Sequence, residues 1–214
     1  MASESSTLER EVESKFEIPF KMGKAYLMLM VGNIAAREGW HLTNCKYEEL
    51  FFQYFDTPQL DAYKNGDTIR RVSGFPAASN AKATYRYDFK IGPIDNRLEK
   101  NHWDDQQYTP QELVSVLELP PPYASLMVSA SANTNHQKMF FEKDGSRVEV
   151  TQDIFNVHDG LFFRELEIEL KKGNQVHWRE LSDKVRTELG LKAVHSQKYS
   201  TIIEGMPRYN DRIQ

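Results

Sequence analysis

The chain has 214 residues and a formal net charge of -4. That is enough for one large domain or two small ones, and too near neutrality for a general electrostatic binder of nucleic acid. Hydrophobic residues at 40% and aromatics at 12% supply a sizeable core and exclude global disorder, while a single cysteine, Cys45, excludes an internal disulfide and a cysteine-based zinc site.

Met1 to Thr7 carries no basic segment followed by an apolar run, and no stretch approaches the roughly 18 apolar residues of a membrane helix. A cytoplasmic protein that meets neither membrane nor nucleic acid is the expectation. Glu11-Val12-Glu13-Ser14-Lys15-Phe16 then places a charged residue at every second position. In a strand, Glu11, Glu13 and Lys15 share one face, which suits a divalent cation with an anion beside it. Lys21 to Gly39 reads as a helix, with Tyr26, Leu27, Met30 and Ile34 at helical spacing and Gly39 as its stop. Glu48 to Phe55 reads as an aromatic-rich strand ending in the turn Asp56-Thr57-Pro58. After the turn at Asn65-Gly66-Asp67, Thr68 to Val72 is a short strand, and Ser73 to Ala83 a loop. Thr84 to Ile91 and Asn96 to Trp103 are further strands, separated by a turn at Gly92-Pro93.

Thr109-Pro110 caps a helix that runs to Leu117. Pro120-Pro121-Pro122 ends it, and a short helical piece follows from Tyr123 to Ser129. Gln137 to Glu142 and Arg147 to Asp153 form a hairpin about Asp144-Gly145. Phe163 to Lys171 is the most regular strand, with Glu165, Glu167 and Glu169 alternating against Leu166, Ile168 and Leu170. Trp178 to Leu189 is an amphipathic helix stopped by Gly190, and the tail ends in one more helical turn. No repeat or linker interrupts the chain, so a single domain over 1–214, with its core from about 8 to 204, is expected.

The charged strand faces carry the functional argument. They comprise Glu11, Glu13 and Lys15; Arg70; Arg86, Asp88 and Lys90; Arg97 and Glu99; Glu149, Thr151 and Asp153; and Glu165, Glu167 and Glu169. The opposite faces are apolar and helices are available to cover them. About eight antiparallel strands with a charged face and a covered apolar face are most economically closed into a barrel with a charged interior. The predicted fold is therefore α+β, a closed eight-stranded antiparallel β-barrel with helices packed outside. Clustered carboxylates repel unless a cation joins them, and their oxygens suit Mg²⁺ or Mn²⁺. Arginine and lysine in the same chamber suit phosphate oxygens. Metal, carboxylates and bases together are the apparatus of phosphoryl transfer.

These residues resemble a known family. Glu11-x-Glu13-x-Lys15 is similar to the ExExK signature of the CYTH superfamily, the triphosphate tunnel metalloenzymes. Tyr54-Phe55-Asp56-Thr57-Pro58, followed by Gly66 and Ile69-Arg70, resembles that family's YxDTP and LRxR landmarks. Lys90, Arg97-x-Glu99, Gly160-x-Phe162-x-x-Glu165-x-Glu167 and Ser196-x-Lys198-Tyr199 resemble the later ones, in family order. The resemblance implies a tunnel that binds a triphosphate with Mg²⁺ or Mn²⁺. By position, Glu11, Glu13, Glu165 and Glu167 would hold metal, joined by Glu149 or Asp153. Lys15, Arg70, Lys90, Arg97, Lys138 and Lys198 would grip phosphate. Glu11, Glu13, Lys90 and Arg70 would act on the reaction itself, the acids orienting water and the bases offsetting charge. The implied partner is a small-molecule triphosphate, and the expected assembly a monomer or weak homodimer.

Two positions depart from the family pattern. The second arginine of LRxR falls on Val72 unless the strand slips so that Arg71 replaces it, and Thr151 stands where a second carboxylate is expected. His136, His158, His177 and His195 lack zinc spacing and read as surface or turn residues. Cys45 reads as a small packing residue, and Trp40, Trp103 and Trp178 as core or interface anchors. Phe51, Phe52, Tyr54 and Phe55 read as outer-face packing, with Tyr54 within reach of the tunnel. The function expected is hydrolysis of inorganic tripolyphosphate or of an organic triphosphate such as thiamine triphosphate. A class IV-type adenylyl cyclase and a non-catalytic polyphosphate-binding module are the alternatives.

Overall fold

A computed structural model describes residues 9–74, 85–92, 97–157 and 160–205. Most of the loop predicted from Ser73 to Ala83, Pro93, and the His158-Asp159 turn lie outside the described residues.

The strands are β1 (Glu9–Glu11), β2 (Glu13–Glu17), β3 (His41–Asp56), β4 (Thr68–Ser73), β5 (Tyr85–Ile91), β6 (Arg97–Asp104), β7 (Met127–Lys143), β8 (Ser146–Val157), β9 (Phe162–Lys172) and β10 (Lys192–Ala193). They form one curled antiparallel sheet in the order β1-β6-β5-β4-β3-β7-β8-β9-β2-β10. The α+β expectation holds. The sheet has ten strands because the first predicted strand is split at Val12 and a two-residue strand, β10, pairs with β2. The split has a topological result: β1 pairs with β6 and β2 with β9, so one residue links the first strand of the order to the last but one.

Among the described residues five α-helices lie on the sheet: α1 (Lys24–Arg37), α2 (Asp61–Asn65), α3 (Pro110–Val116), α4 (Gln175–Leu189) and α5 (Lys198–Gly205). No described helix is long and apolar enough to cross a membrane. Helix α3 starts on the predicted Thr109-Pro110 signal: Thr109 accepts from the Glu112 amide, and the Glu112 carboxylate accepts from the Thr109 amide at 2.7 Å. Helix α4 begins three residues before the predicted start because the Asn174 side chain caps it, accepting from Val176 N at 2.8 Å.

Strand lengths differ most from expectation in β3 and β7. The first half of β3 is exposed and polar, so no burial alternation marks it as a strand; its pairing with β7 from His41 onward defines it. The helical piece predicted over Tyr123 to Ser129 is instead a 3₁₀ turn over Pro121–Tyr123, followed by β7 from Met127. Small residues there have weak strand propensity, but Ala130 and Ala132 sit opposite Tyr54 and Phe52 and leave room for their rings. The predicted hairpin is present, with Asp144 at φ 47 and Gly145 at φ 74, the left-handed pair of a type I′ turn.

The apolar side of the sheet packs on α1 and α4, burying Leu27, Val31, Ile34, Trp40, Trp178, Leu181 and Val185 against Phe141, Val148, Val150, Leu166 and Ile168. Trp178 Nε1 also donates to Ile168 O at 2.8 Å. A second apolar layer joins α3 to β4 and β5 through Leu113, Leu117, Ile69 and Phe89. A third, with Tyr54, Phe52, Phe155, Tyr199 and Ile202, lies where α5 meets the sheet. Trp40 and Trp178 are therefore core anchors as expected, whereas Trp103 is 52% exposed. Cys45 is exposed on β3 rather than packed.

Candidate active site

The curled sheet encloses a cavity of about 780 Å³ with its opening included. Eight lysines and arginines line it, Lys15, Arg70, Arg86, Lys90, Arg97, Lys138, Lys171 and Lys198, against five glutamates, Glu11, Glu99, Glu149, Glu167 and Glu169. The lining therefore favours a polyanion. At one end lie Arg86, Trp103 and Lys171, each one residue in from the end of its strand. At the other, α5 enters with Lys198 and Tyr199.

The register explains how residues distant in sequence meet. Lys90 Nζ donates to Glu11 at 2.7 Å and lies 3.3 Å from Glu99. Arg97 Nη1 lies 3.5 Å from Glu13 and 3.9 Å from Glu11. Lys15 reaches Glu167 at 2.7 Å and Glu13 at 3.1 Å. Arg70 Nε donates to Asp88 at 2.6 Å, and Arg86 Nε sits 2.9 Å from the same carboxylate. Lys198 contacts Asp153 and lies 3.0 Å from Glu167. Lys138 lies 2.8 Å from Glu149, towards the end away from α5.

Nine of the residues expected at the site thus border one cavity: Glu11, Lys15, Arg70, Lys90, Arg97, Lys138, Glu149, Glu167 and Lys198. Glu13, Asp153 and Glu165 do not line it. Glu13 sits behind Lys15 and Arg97, and Asp153 is fully buried between His136 and Lys198. Glu165 borders a second cavity.

Electrostatics divide the carboxylates into two classes. Burial opposes ionisation of Glu11, but Lys90 and Lys15 outweigh it and hold the carboxyl at about 2. Asp88 is likewise held at about 2, burial being overcome by Arg86 and Arg70. Burial wins at Glu165, aided by Glu167 and Asp153, and pushes it up to about 7. Burial also pushes Glu169 up to about 7 against the pull of Lys171. Glu13 is raised as well, by burial and by Glu167 and Glu11.

The donor set suits a hard cation in its chemistry. The acids offer oxygen only, and Glu11 Oε2 and Glu165 Oε2 are buried acceptors with no hydrogen-bond partner. Among the described residues no three of the acids converge on one point; lysines and arginines hold them apart. Lys15 and Arg97 together touch Glu11, Glu13 and Glu167, the three acids whose charge a dication would compensate.

Several features correct the sequence reading. The β4 strand does not slip: Arg70 pairs with Tyr54 and Asp88, and Val72 with Phe52 and Arg86, without a bulge. Arg71 lies on the outer face, donating to Gln53 at 2.6 Å and lying over the Tyr85 ring. Val72 is fully buried among the aromatic residues near α5. Its register partner Arg86 supplies a cation to the cavity instead. Phe52 lines the cavity rather than packing outward, Tyr54 reaches the cavity as expected, and Phe55 does pack outward. His136, read as a surface residue, is buried and bonds Asp153 through Nδ1. Thr151 keeps its place in the lining and donates to Glu149 at 3.2 Å.

Asp56 of the Asp-Thr-Pro landmark is structural. Its carboxylate accepts from the amides of Thr57 at 2.7 Å, Ala62 at 2.8 Å and Tyr63 at 3.0 Å, which fixes the start of α2. Gln197, between Ser196 and Lys198, pins the start of α5 by bonds to Thr68 Oγ1 at 2.5 Å and Gly92 O at 3.3 Å, and by one to Gly66 O.

No protein-family model and no curated protein matches the chain. Solved structures do. One is HpAC1 from Hippeastrum, an adenylyl cyclase candidate described with a dominant triphosphatase activity; it is 13% identical over 92% of this chain and 97% of that one, with a TM-score of 0.57. A protein from Pyrococcus horikoshii is 18% identical over 92% of this chain and 99% of its own, with a TM-score of 0.57. A candidate adenylate cyclase from Vibrio parahaemolyticus is 15% identical over 93% and 100%, again with a TM-score of 0.57. At such identities the likeness is one of fold. The chain shares the fold of these proteins, and its motifs resemble those of the CYTH superfamily.

Proposed function

We propose that the protein is a metal-dependent triphosphatase. With Mg²⁺ or Mn²⁺ it hydrolyses the terminal phosphoanhydride of inorganic tripolyphosphate, or of an organic triphosphate such as thiamine triphosphate, and releases orthophosphate. The observation that supports this reading is one cavity whose eight cationic side chains exceed its five carboxylates. In this reading the sheet closes on itself as an eight-stranded tunnel, with β1 and β2 serving as one kinked strand between β6 and β9.

A divalent cation supplies two things to such chemistry, an acidified water and polarised phosphoryl oxygens. Glu11, Glu13 and Glu167 are the acids best placed to hold it, because Lys15 and Arg97 already bridge them. Glu149, Asp153 and Glu165 surround that set. Arg70 and Lys90 present donors to the non-bridging oxygens, and Asp88 and Glu11 fix their directions. Lys15, Arg97, Lys138 and Lys198 grip the rest of the phosphate chain, with Lys198 at the α5 end and Lys138 towards the other. Glu11 orients the attacking water in line with the leaving oxygen, and Glu13 acts from behind it by fixing Lys15 and Arg97.

The test is product analysis on tripolyphosphate, thiamine triphosphate, ATP and GTP, each with Mg²⁺, Mn²⁺ or EDTA. Metal-dependent orthophosphate release is expected. Pyrophosphate with cyclic AMP from ATP would replace the hydrolase by a cyclase. Binding without turnover would leave a polyphosphate-binding module.

A further inference from the structure

A second cavity, about 730 Å³ with its opening included, lies at the end of the sheet that α5 occupies, apart from the phosphate chamber. Its apolar wall is Ile18, Phe20, Phe162, Phe163 and Val194. Phe20 and Phe162 meet edge to face at 5.7 Å, and both are exposed to solvent. Exposed aromatic rings over a cavity are costly in water and favour an apolar occupant.

Its polar groups are left open in a specific way. Arg164 Nη1 donates to Pro19 O at 3.3 Å and Phe20 O at 3.4 Å, which fixes the plane of the guanidinium. Nε and Nη2, the two donors on the remaining side edge, are buried and have no partner. That edge is the fork that matches the two oxygens of a carboxylate. Glu165 also borders the cavity, but the charged groups that act on it, Lys198, Lys15 and Glu167, line the phosphate chamber. Buried donors left unmatched cost free energy, so the two Arg164 donors at this cavity call for an acceptor ligand.

We propose that this cavity is a binding site for a small organic carboxylate with an apolar or aromatic body, its carboxylate held side-on by Arg164 and its body against Phe20 and Phe162. The fork favours a planar carboxylate. The site is independent of triphosphate hydrolysis, since none of Ile18, Phe20, Phe162 and Arg164 lines the phosphate chamber.

Calorimetric titration of the full chain with phenylacetate and with hexanoate tests this, with 2-phenylethanol as the uncharged control. Saturable binding of at least one acid is expected, with the alcohol at least about tenfold weaker. Arg164→Gln should weaken binding about tenfold or more. Phe20→Ala, which removes an exposed ring and leaves the fold intact, should weaken it several-fold, and saturating tripolyphosphate should not displace the acid. Failure of both acids to bind the folded protein, equal binding to both variants, or displacement by tripolyphosphate would each overturn the proposal. None of these outcomes depends on whether the phosphate chamber is catalytic.

Discussion

The phenol of Tyr199 donates to Asp56 Oδ2 at 2.8 Å and lies 2.9 Å from Ser129 Oγ, joining the start of α5 to the end of β3 and the beginning of β7. Its ring stacks on Tyr54 at 5.3 Å. Because Lys198 is the preceding residue, this contact also holds the lysine that enters the cavity. Asp56 already accepts three amides of the α2 turn, so one buried carboxylate organises both helices.

Tyr199→Phe leaves Asp56 Oδ2 one donor short while keeping the ring. Unfolding in urea should show a loss of about 1–3 kcal/mol. The same variant should raise the KM for triphosphate with a smaller change in kcat, because Lys198 is less firmly placed.

Glu13→Gln removes a buried carboxyl whose charged form is disfavoured by burial and by Glu167 and Glu11. Metal-dependent turnover should fall by about 10²-fold or more, while circular dichroism and thermal stability at neutral pH stay at or above wild type. Loss of the fold instead would make Glu13 a structural residue.

Arg86→Ala and Arg71→Ala test which cation stands in for the missing second arginine. Arg86 lines the cavity and Arg71 packs on the outer face. KM for triphosphate should rise about tenfold in Arg86→Ala, equivalent to about 1.4 kcal/mol, and remain near wild type in Arg71→Ala. The reverse order would mean that β4 shifts when substrate binds.

Stability of the metal-free protein should fall as pH rises from about 5 to about 8. Glu165 and Glu169 both titrate near 7 in the folded chain, against 4.5 in a free side chain. Between those values the folded state binds more protons than the unfolded one, so raising pH favours unfolding. Glu11 and Asp88, held at about 2, act in the opposite sense and only below about 4.5. Thermal melts at pH 5, 6, 7 and 8 should show the decline, and Glu169→Gln should flatten it.

Alternation of charged and apolar residues made β2, β5 and β9 legible, because one face of each lines a polar chamber and the other packs on apolar layers. The positions of Glu11, Lys15, Arg70, Lys90, Arg97 and Lys198 followed from the same rule together with the family resemblance. The rule failed where neither condition holds. The early part of β3 is wet on most of its length, and the early part of β7 is built of small residues beneath larger rings. His136 reads as a surface or turn residue from the sequence because a lone histidine carries no spacing signal; only the register that sets it opposite Asp153 reveals its buried role. Arg86 was visible on a charged face, but its relation to Val72 exists only across the β4–β5 pairing.

The division of the first strand at Val12 also bears on how the chain folds during synthesis. Glu11 pairs with Arg97, 97 − 11 = 86 positions away, and Glu13 with Glu169, 169 − 13 = 156 positions away. Of the described strands, β1 and β2 are made before all others and wait for their neighbours, with their hydrogen-bonding groups unpaired until β6 and then β9 are made. Such long-range pairing slows folding and exposes strand edges in the interval. The assembly step is thus governed by the last third of the chain, and a nascent protein halted before β9 would carry β2 without the partner that defines its register.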